Sequence, residues 1–172
     1  ALGKIEEYLS IIESLPEISI SKAEQDSLTY NTAFMKFSEM DYKLAKTAFD
    51  KYTQSFEGGI FINDANYYNA ISSLKIGDTI SAVFNYQKVL QSGVHSYQEK
   101  SLIFLARRSY NENDFNKSNI YYTKLLDFAS SNSIKREVAI RLMTGNEYLD
   151  KIVALKYAKQ VIGFDKIDNW LL

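Results

Sequence analysis

The chain of 172 residues contains no cysteine, one proline (Pro16), one histidine (His95) and one tryptophan (Trp170). The missing cysteines exclude disulfides, thiolate metal sites and cysteine nucleophiles, and leave the redox compartment open. A zinc site or a catalytic dyad draws on several His, Cys or carboxylate groups. His95, alone in the loop Ser92-Gly93-Val94-His95-Ser96, reads as a solvated turn residue. The seven glycines form neither a phosphate-cradling loop nor a nucleophile elbow. No acidic stretch has the spacing of a calcium loop. No apolar run approaches the roughly 20 residues of a membrane span. Charge of one sign is also lacking. The formal net charge is −1, which gives no bulk attraction to nucleic acid or anionic lipid. Acid pairs such as Glu6-Glu7 lie opposite an apolar stripe and read as a solvated helix side.

What the chain does have is an internal repeat. Asp41, Asp78, Asp114 and Asp150 follow one another at intervals of 37, 36 and 36 residues. Four residues after each stands a small side chain: Ala45, Ala82, Ser118 and Ala154. Eight after stand Phe49, Tyr86, Tyr122 and Ala158, and eight before stand Ala33, Ala70, Ala106 and Leu142. Such a period marks stacked supersecondary units whose core is a seam shared between neighbours.

Each unit reads as two antiparallel helices. In the second, Asn63 or Asp64 opens a helix through Tyr67, Ala70, Ile71 and Leu74. Gly77 supplies a left-handed stop, and Asp78 caps the next helix by accepting from its first free amides. Asp41, Asp114 and Asp150 take the same capping position, a structural role. Ser21-Lys22-Ala23-Glu24 and Ser96-Tyr97-Gln98-Glu99 both fit the reciprocal capping box. Small residues at 33, 70 and 106 let paired helices approach, and aromatics at 49, 86 and 122 fill the space against the next unit. Pro16 interrupts the helical pattern, so residues around it are expected to cross over in extended form.

The spacing divides the chain as follows: 1–20, the second helix of an incomplete preceding repeat (Leu2, Ile5, Leu9 and Ile12 on one face) plus a linker; 21–59, 60–95 and 96–131, three repeats; 132–164, a degenerate fourth; 165–172, the start of a further helix. The unpartnered first stripe and the apolar Trp170, Leu171 and Leu172 suggest a piece of a longer repeat protein. The expected fold is an all-α, right-handed solenoid of about four helix-turn-helix units.

The residues that carry this pattern resemble the tetratricopeptide repeat. They are Glu39-Met40-Asp41-Tyr42 with Ala45 and Phe49, Ile76-Gly77-Asp78 with Ala82 and Tyr86, and Asn113-Asp114-Phe115 with Ser118 and Tyr122. The likeness runs from Glu24 to Ile162 and is weak in the fourth unit, at Leu142, Asn146 and Ala158. The period is longer than the family's 34, and the proline that often closes its units is missing. Ala65-Asn66-Tyr67-Tyr68 and Tyr52-Thr53-Gln54-Ser55-Phe56 are similar to repeats of bacterial envelope proteins, and the abundance of Tyr, Asn, Lys, Ser and Ile is similar to that of chains from Bacteroidetes.

The resemblance implies a protein-interaction scaffold with no catalysis and no cofactor, and a concave groove lined by the first helix of each unit. Carried over residue by residue, the groove would hold Tyr30, Phe34 and Phe37, then Tyr67, Ile71, Leu74 and Lys75, then Lys100, Ile103, Phe104, Arg107 and Tyr110, then Arg136 and Met143. Its second half collects the cations, so the expected partner is a protein or peptide with an apolar anchor followed by acidic residues. Arg107 is its prime cation because a guanidinium pairs bidentately with carboxylate. Leu74, Ile103 and Phe104 are the groove residues most expected to sit in the core instead. The family's carboxylate clamp for chaperone tails is not reproduced. Base-reading stations on a basic groove are also missing: Tyr30, Tyr67, Ile103 and Ala139 follow no code, so no nucleic acid is expected. Two alternatives stand beside the scaffold: a structural spacer between domains with no ligand, and a carbohydrate-binding surface built on the tyrosines. The resemblance points to a periplasmic or envelope location, with a cytoplasmic one as the alternative.

Overall fold

A computed structural model describes residues 21–93, 96–147 and 149–168, together with Ile11. The expected features at residues 1–10, around Pro16, at His95 and at Trp170 lie outside them. Among the described residues the chain is all helical, with eight α-helices and no strand: α1 (Lys22–Ser38), α2 (Tyr42–Ser55), α3 (Ile62–Lys75), α4 (Thr79–Gln91), α5 (Gln98–Asn111), α6 (Phe115–Leu125), α7 (Asn132–Glu147) and α8 (Lys151–Asp168). The chain forms two compact units, Ala1–Val94 and His95–Leu172. In each, two successive helix hairpins stack so that the second helix of one pair packs on the first of the next: α2 on α3, and α6 on α7. That is the packing of an α-solenoid, as the repeat requires.

The turn inside each hairpin is made by two adjacent residues. Met40, Gly77 and Asn113 all have positive φ, at 60°, 81° and 60°. Their amides bond back to Phe37, Leu74 and Tyr110, while the next amides, of Asp41, Asp78 and Asp114, reach Lys36, Ser73 and Ser109. This double bond closes the first helix in a Schellman motif. The same aspartates then turn their carboxylates forward onto the amides of Leu44, Ser81 and Lys117. One residue therefore ends one helix with its backbone and starts the next with its side chain. The fourth turn differs: both the Leu149 and Asp150 amides bond to the Asn146 carbonyl, and among its described residues none has positive φ. Asp150 still caps α8, accepting from Ile152 and Val153.

Small residues lie where the helices cross. Ala33, Ala45, Ala70, Ala82, Ala106 and Ser118 are fully buried, and Phe49 and Tyr122 fill the space beside them. In the first unit Tyr30, Ala33, Ala45, Phe49, Tyr52 and Ala65 form one core cluster. In the second, Leu102, Leu105, Leu125, Val138 and Leu142 are buried with Tyr122. At Gly145 on α7 an added Cβ would lie 2.5 Å from Asn119 Oδ1 of α6. The glycine leaves room for the Asn119 carboxamide, which would have to turn aside for any larger residue.

Four local expectations are corrected. α3 opens at Ile62, ahead of Asn63 and Asp64, and has no side-chain cap. Asn63 is buried and accepts from Ser92 Oγ at 2.8 Å, so its carboxamide serves tertiary packing. The Ser96 capping box does not form; the N-cap of α5 is Tyr97, at φ 65°. Glu99 is engaged elsewhere, accepting from the Ser130 amide and hydroxyl at 2.7 and 3.1 Å. The Ser21–Glu24 box does form, in both directions. Leu74, Ile103 and Phe104 are only half-buried, because their helices turn Ser72 and Ser73, and Leu102, Leu105 and Ala106, inward instead. Finally, α8 continues through Asp168, past the break expected at 165, since no proline or left-handed residue stops it.

Candidate functional site

The residues assigned to a groove fall into both units. In the first, Tyr30 and Tyr67 are buried. Tyr30 stacks on Phe61 with centroids 4.4 Å apart, and also meets Phe34 and Tyr52. Tyr67 meets Tyr68 and Tyr86 edge-on. Burial drives the Tyr30 hydroxyl far above its ordinary range, as expected of a ring inside a core. Both rings therefore serve packing and present no open face. Phe34, Phe37 and Ile71 are half-buried, Phe34 and Phe37 each against Tyr68. Lys75 is exposed, with Nζ 5.9 Å from the Tyr42 ring.

Beneath these rings lies a polar junction that the repeat pattern does not announce. Asp26 is buried on α1 and accepts from the Tyr52 hydroxyl at 2.5 Å and the Ile60 amide at 3.1 Å. Tyr52 in turn accepts from the Phe61 amide at 3.1 Å. The one available signal was Asp26 itself, which sits with Tyr30 and Ala33 at i, i+4 and i+7, a charge on an apolar stripe. A second junction joins α2 to α3: Asp50 accepts from Asn69 at 2.7 Å and from Lys46 at 2.9 Å, and Lys46 also lies 3.6 Å from Asp78.

In the second unit, α5 carries an open trough along one side, lined by Lys100, Ile103, Phe104, Arg107, Arg108, Asn111 and Glu112. Ile103 and Phe104 are half-buried on its floor, and Lys100 and Arg107 are exposed at its rim. Arg107 is already engaged: Nε and Nη2 donate to the two carboxylate oxygens of Glu137 on α7, at 2.7 and 2.5 Å. The pairing holds the Glu137 carboxyl below its ordinary value and raises the Arg107 guanidinium. Glu137 also accepts from Tyr122, whose hydroxyl burial pushes up to about 12. Tyr110 shares a 2.9 Å hydrogen bond with Thr144 and lies under the Arg141 guanidinium, 4.4 Å from the ring centroid. Arg136 and Met143, on α7, are half-buried. The geometry thus brings Lys100 and Arg107 to one face, and gives Arg107 a carboxylate partner from this same chain.

Counting the first helices of each pair locates the charge. α5 and α7 hold six cations (Lys100, Arg107, Arg108, Lys135, Arg136, Arg141) against Glu99, Glu137 and Glu147. α1 and α3 hold Lys22, Lys36 and Lys75 against Glu24, Asp26 and Asp64. The positive excess belongs to the second unit. Among the described residues no group of three or more His, Cys, Asp or Glu could hold a metal ion. No helix among them is long and apolar enough to cross a membrane. No protein-family model matches the chain, and no curated protein matches it.

Proposed function

We propose that this chain is a non-catalytic protein-interaction scaffold of the tetratricopeptide type, and that its second unit holds a partner segment with an apolar anchor and acidic residues. The α5 trough carries the reading. It sets an apolar floor, Ile103 and Phe104, between the exposed cations Lys100 and Arg107, on helices with twice as many cations as acids. An apolar side chain seated on that floor would place neighbouring carboxylates at the rim. Arg107 is 54% exposed even while paired, so an incoming carboxylate reaches its outer edge or displaces Glu137. Bidentate guanidinium–carboxylate geometry makes that exchange selective for acids. The tyrosines that would support a sugar-stacking face, Tyr30 and Tyr67, are packed inside. The resemblance favours a periplasmic or envelope setting for this activity.

Affinity capture from a lysate of the source organism tests the reading. The bait is compared with a Lys100→Glu, Arg107→Gln variant of the same helical content. Retention by the parent and loss from the variant supports the acidic-partner trough. Equal retention, or none by either, discards it and leaves the spacer.

A further inference from the structure

The second helix of each pair turns one stripe to solvent. Positions two, six and ten after its capping aspartate lie about 200° around the helix from positions four and eight. In the first unit the latter are Ala45, Phe49, Ala82 and Tyr86, all buried. The former are Lys43, Thr47 and Lys51 on α2 and Ile80, Phe84 and Lys88 on α4, all exposed. In the second unit the same stripe carries Ile120 and Lys124 on α6 and Ile152 and Lys156 on α8, with Asn116 and Gln160, again all exposed. Of these twelve places five are lysine, four are isoleucine or phenylalanine, and none is acidic.

The pull of a helix C-terminus on cations accounts for Lys88 and Lys124, in the last turns of α4 and α6. It does not account for Lys43 and Lys51 on α2, nor for Ile80, Phe84, Ile120 and Ile152, which are 84%, 57%, 56% and 83% exposed. The missing acids are not explained by it either. Within residues 42–55, 79–91, 115–125 and 151–163 the one acid is Asp50, tied to Lys46 and Asn69. Every cation of these helices is a lysine, whereas all four arginines lie on α5 and α7.

We infer that this stripe rests on an anionic lipid surface. A net charge of −1 gives the whole chain no pull toward such a surface, so the pull has to come from a face of one sign. Lysine stems place their charge at the headgroups while the isoleucines and Phe84 settle among them, the combination of charge and apolar area that holds a helix at an interface. The fork of arginine suits a particular carboxylate; a smeared negative surface asks only for point charges, which lysine supplies. Phe84 and Lys88 already stand together, with Nζ 5.3 Å from the ring centroid. The inference does not rest on the α5 trough.

Co-sedimentation of the full chain with vesicles of phosphatidylcholine holding about one third phosphatidylglycerol tests it. The expected result is binding that weakens with salt and is lost on phosphatidylcholine alone. Lys51→Gln, Lys88→Gln and Lys124→Gln together should lower the partition coefficient about tenfold or more. Ile80→Ser with Phe84→Ser should lower it severalfold and leave the salt dependence in place. All five positions are exposed, so both variants should keep the circular dichroism of the parent. No binding at low salt, or binding that the lysine variant retains in full, would overturn the inference. Soluble polyglutamate held as tightly as the vesicles, with Ile80 and Phe84 making no difference, would make the partner an acidic protein and overturn it too.

Discussion

The Tyr52 hydroxyl donates to the Asp26 carboxylate at 2.5 Å, so the end of α2 is tied to the start of α1 by a buried charged hydrogen bond. The loop after α2 completes the junction, with the Ile60 and Phe61 amides bonding to the same two side chains. The loop can come this close because residue 59 is glycine. A Cβ there would lie 2.5 Å from the Tyr52 hydroxyl and 2.9 Å from Asp26 Oδ2.

Tyr52→Phe should lower unfolding free energy by about 1–3 kcal/mol, since it leaves both Asp26 and the Phe61 amide short of a partner. Gly59→Ala should cost about 1–3 kcal/mol by overpacking. The double variant should cost less than the sum, because removing the hydroxyl relieves the worst contact of the new methyl. Urea denaturation of all four proteins closes this cycle. Strict additivity would mean that the loop relaxes away from Tyr52.

Met40 has φ 60° and is 72% exposed, so it bears a left-handed conformation with little packing in return. Gly77 fills the same place one repeat later without strain. Met40→Gly should therefore stabilise the chain by about 1 kcal/mol, the steric penalty of the left-handed region less the added freedom of the unfolded glycine. A rise in the thermal midpoint checks it, and a fall would show that the Met40 side chain holds α1 or α2 in place.

The caps of the three strong hairpin turns were legible because their chemistry is local, a carboxylate acting within four positions. The left-handed residue was legible at Gly77 alone, and not at Met40 or Asn113. Ala33, Ala70 and Ala106 were legible as crossing points because a 36-residue period exposes them. The expected box at Ser96–Glu99 failed where a local rule met a distant competitor, the Ser130 amide and hydroxyl. Glu137 was missed for the same reason: it is 30 residues from Arg107, at a spacing no motif marks, so the cation looked available when it was already paired. Tyr30 and Tyr67 sit on faces that family geometry assigns to a groove, yet Phe61 and Tyr86 cover them. Which side of an aromatic helix is open depends on the bulk of its neighbours, and periodicity does not report bulk.

Overpacking one of those crossings tests the seam directly. Ala70 is fully buried. Ala70→Phe should cost about 1–3 kcal/mol. Ala70→Gly should cost about 1 kcal/mol through helix propensity alone. If Phe proves no worse than Gly in urea denaturation, the helices at that crossing part readily and the small residue is not what sets their approach.

The Arg107–Glu137 pair predicts how stability should follow pH. Arg107 hydrogen bonding, opposed in part by burial, holds the Glu137 carboxyl below its ordinary 4.5 in the folded chain. Between that depressed value and 4.5 the unfolded chain binds more protons at this site, so folding stability rises with pH. The contribution is present above about 4.5 and is lost as pH falls through the folded value. Glu24, Asp78 and Asp114 are depressed too, through Ser21, Ser81 and Lys117, and add to the same slope. Glu137→Gln removes one titrating group and keeps the shape of the side chain. Its urea midpoint should therefore fall less steeply than the parent's between about pH 5 and 3, with the other three among the groups that keep a slope. Parallel slopes would mean that Arg107 pairs with Glu137 too weakly to bias its proton, leaving the guanidinium open to an incoming acid at no cost.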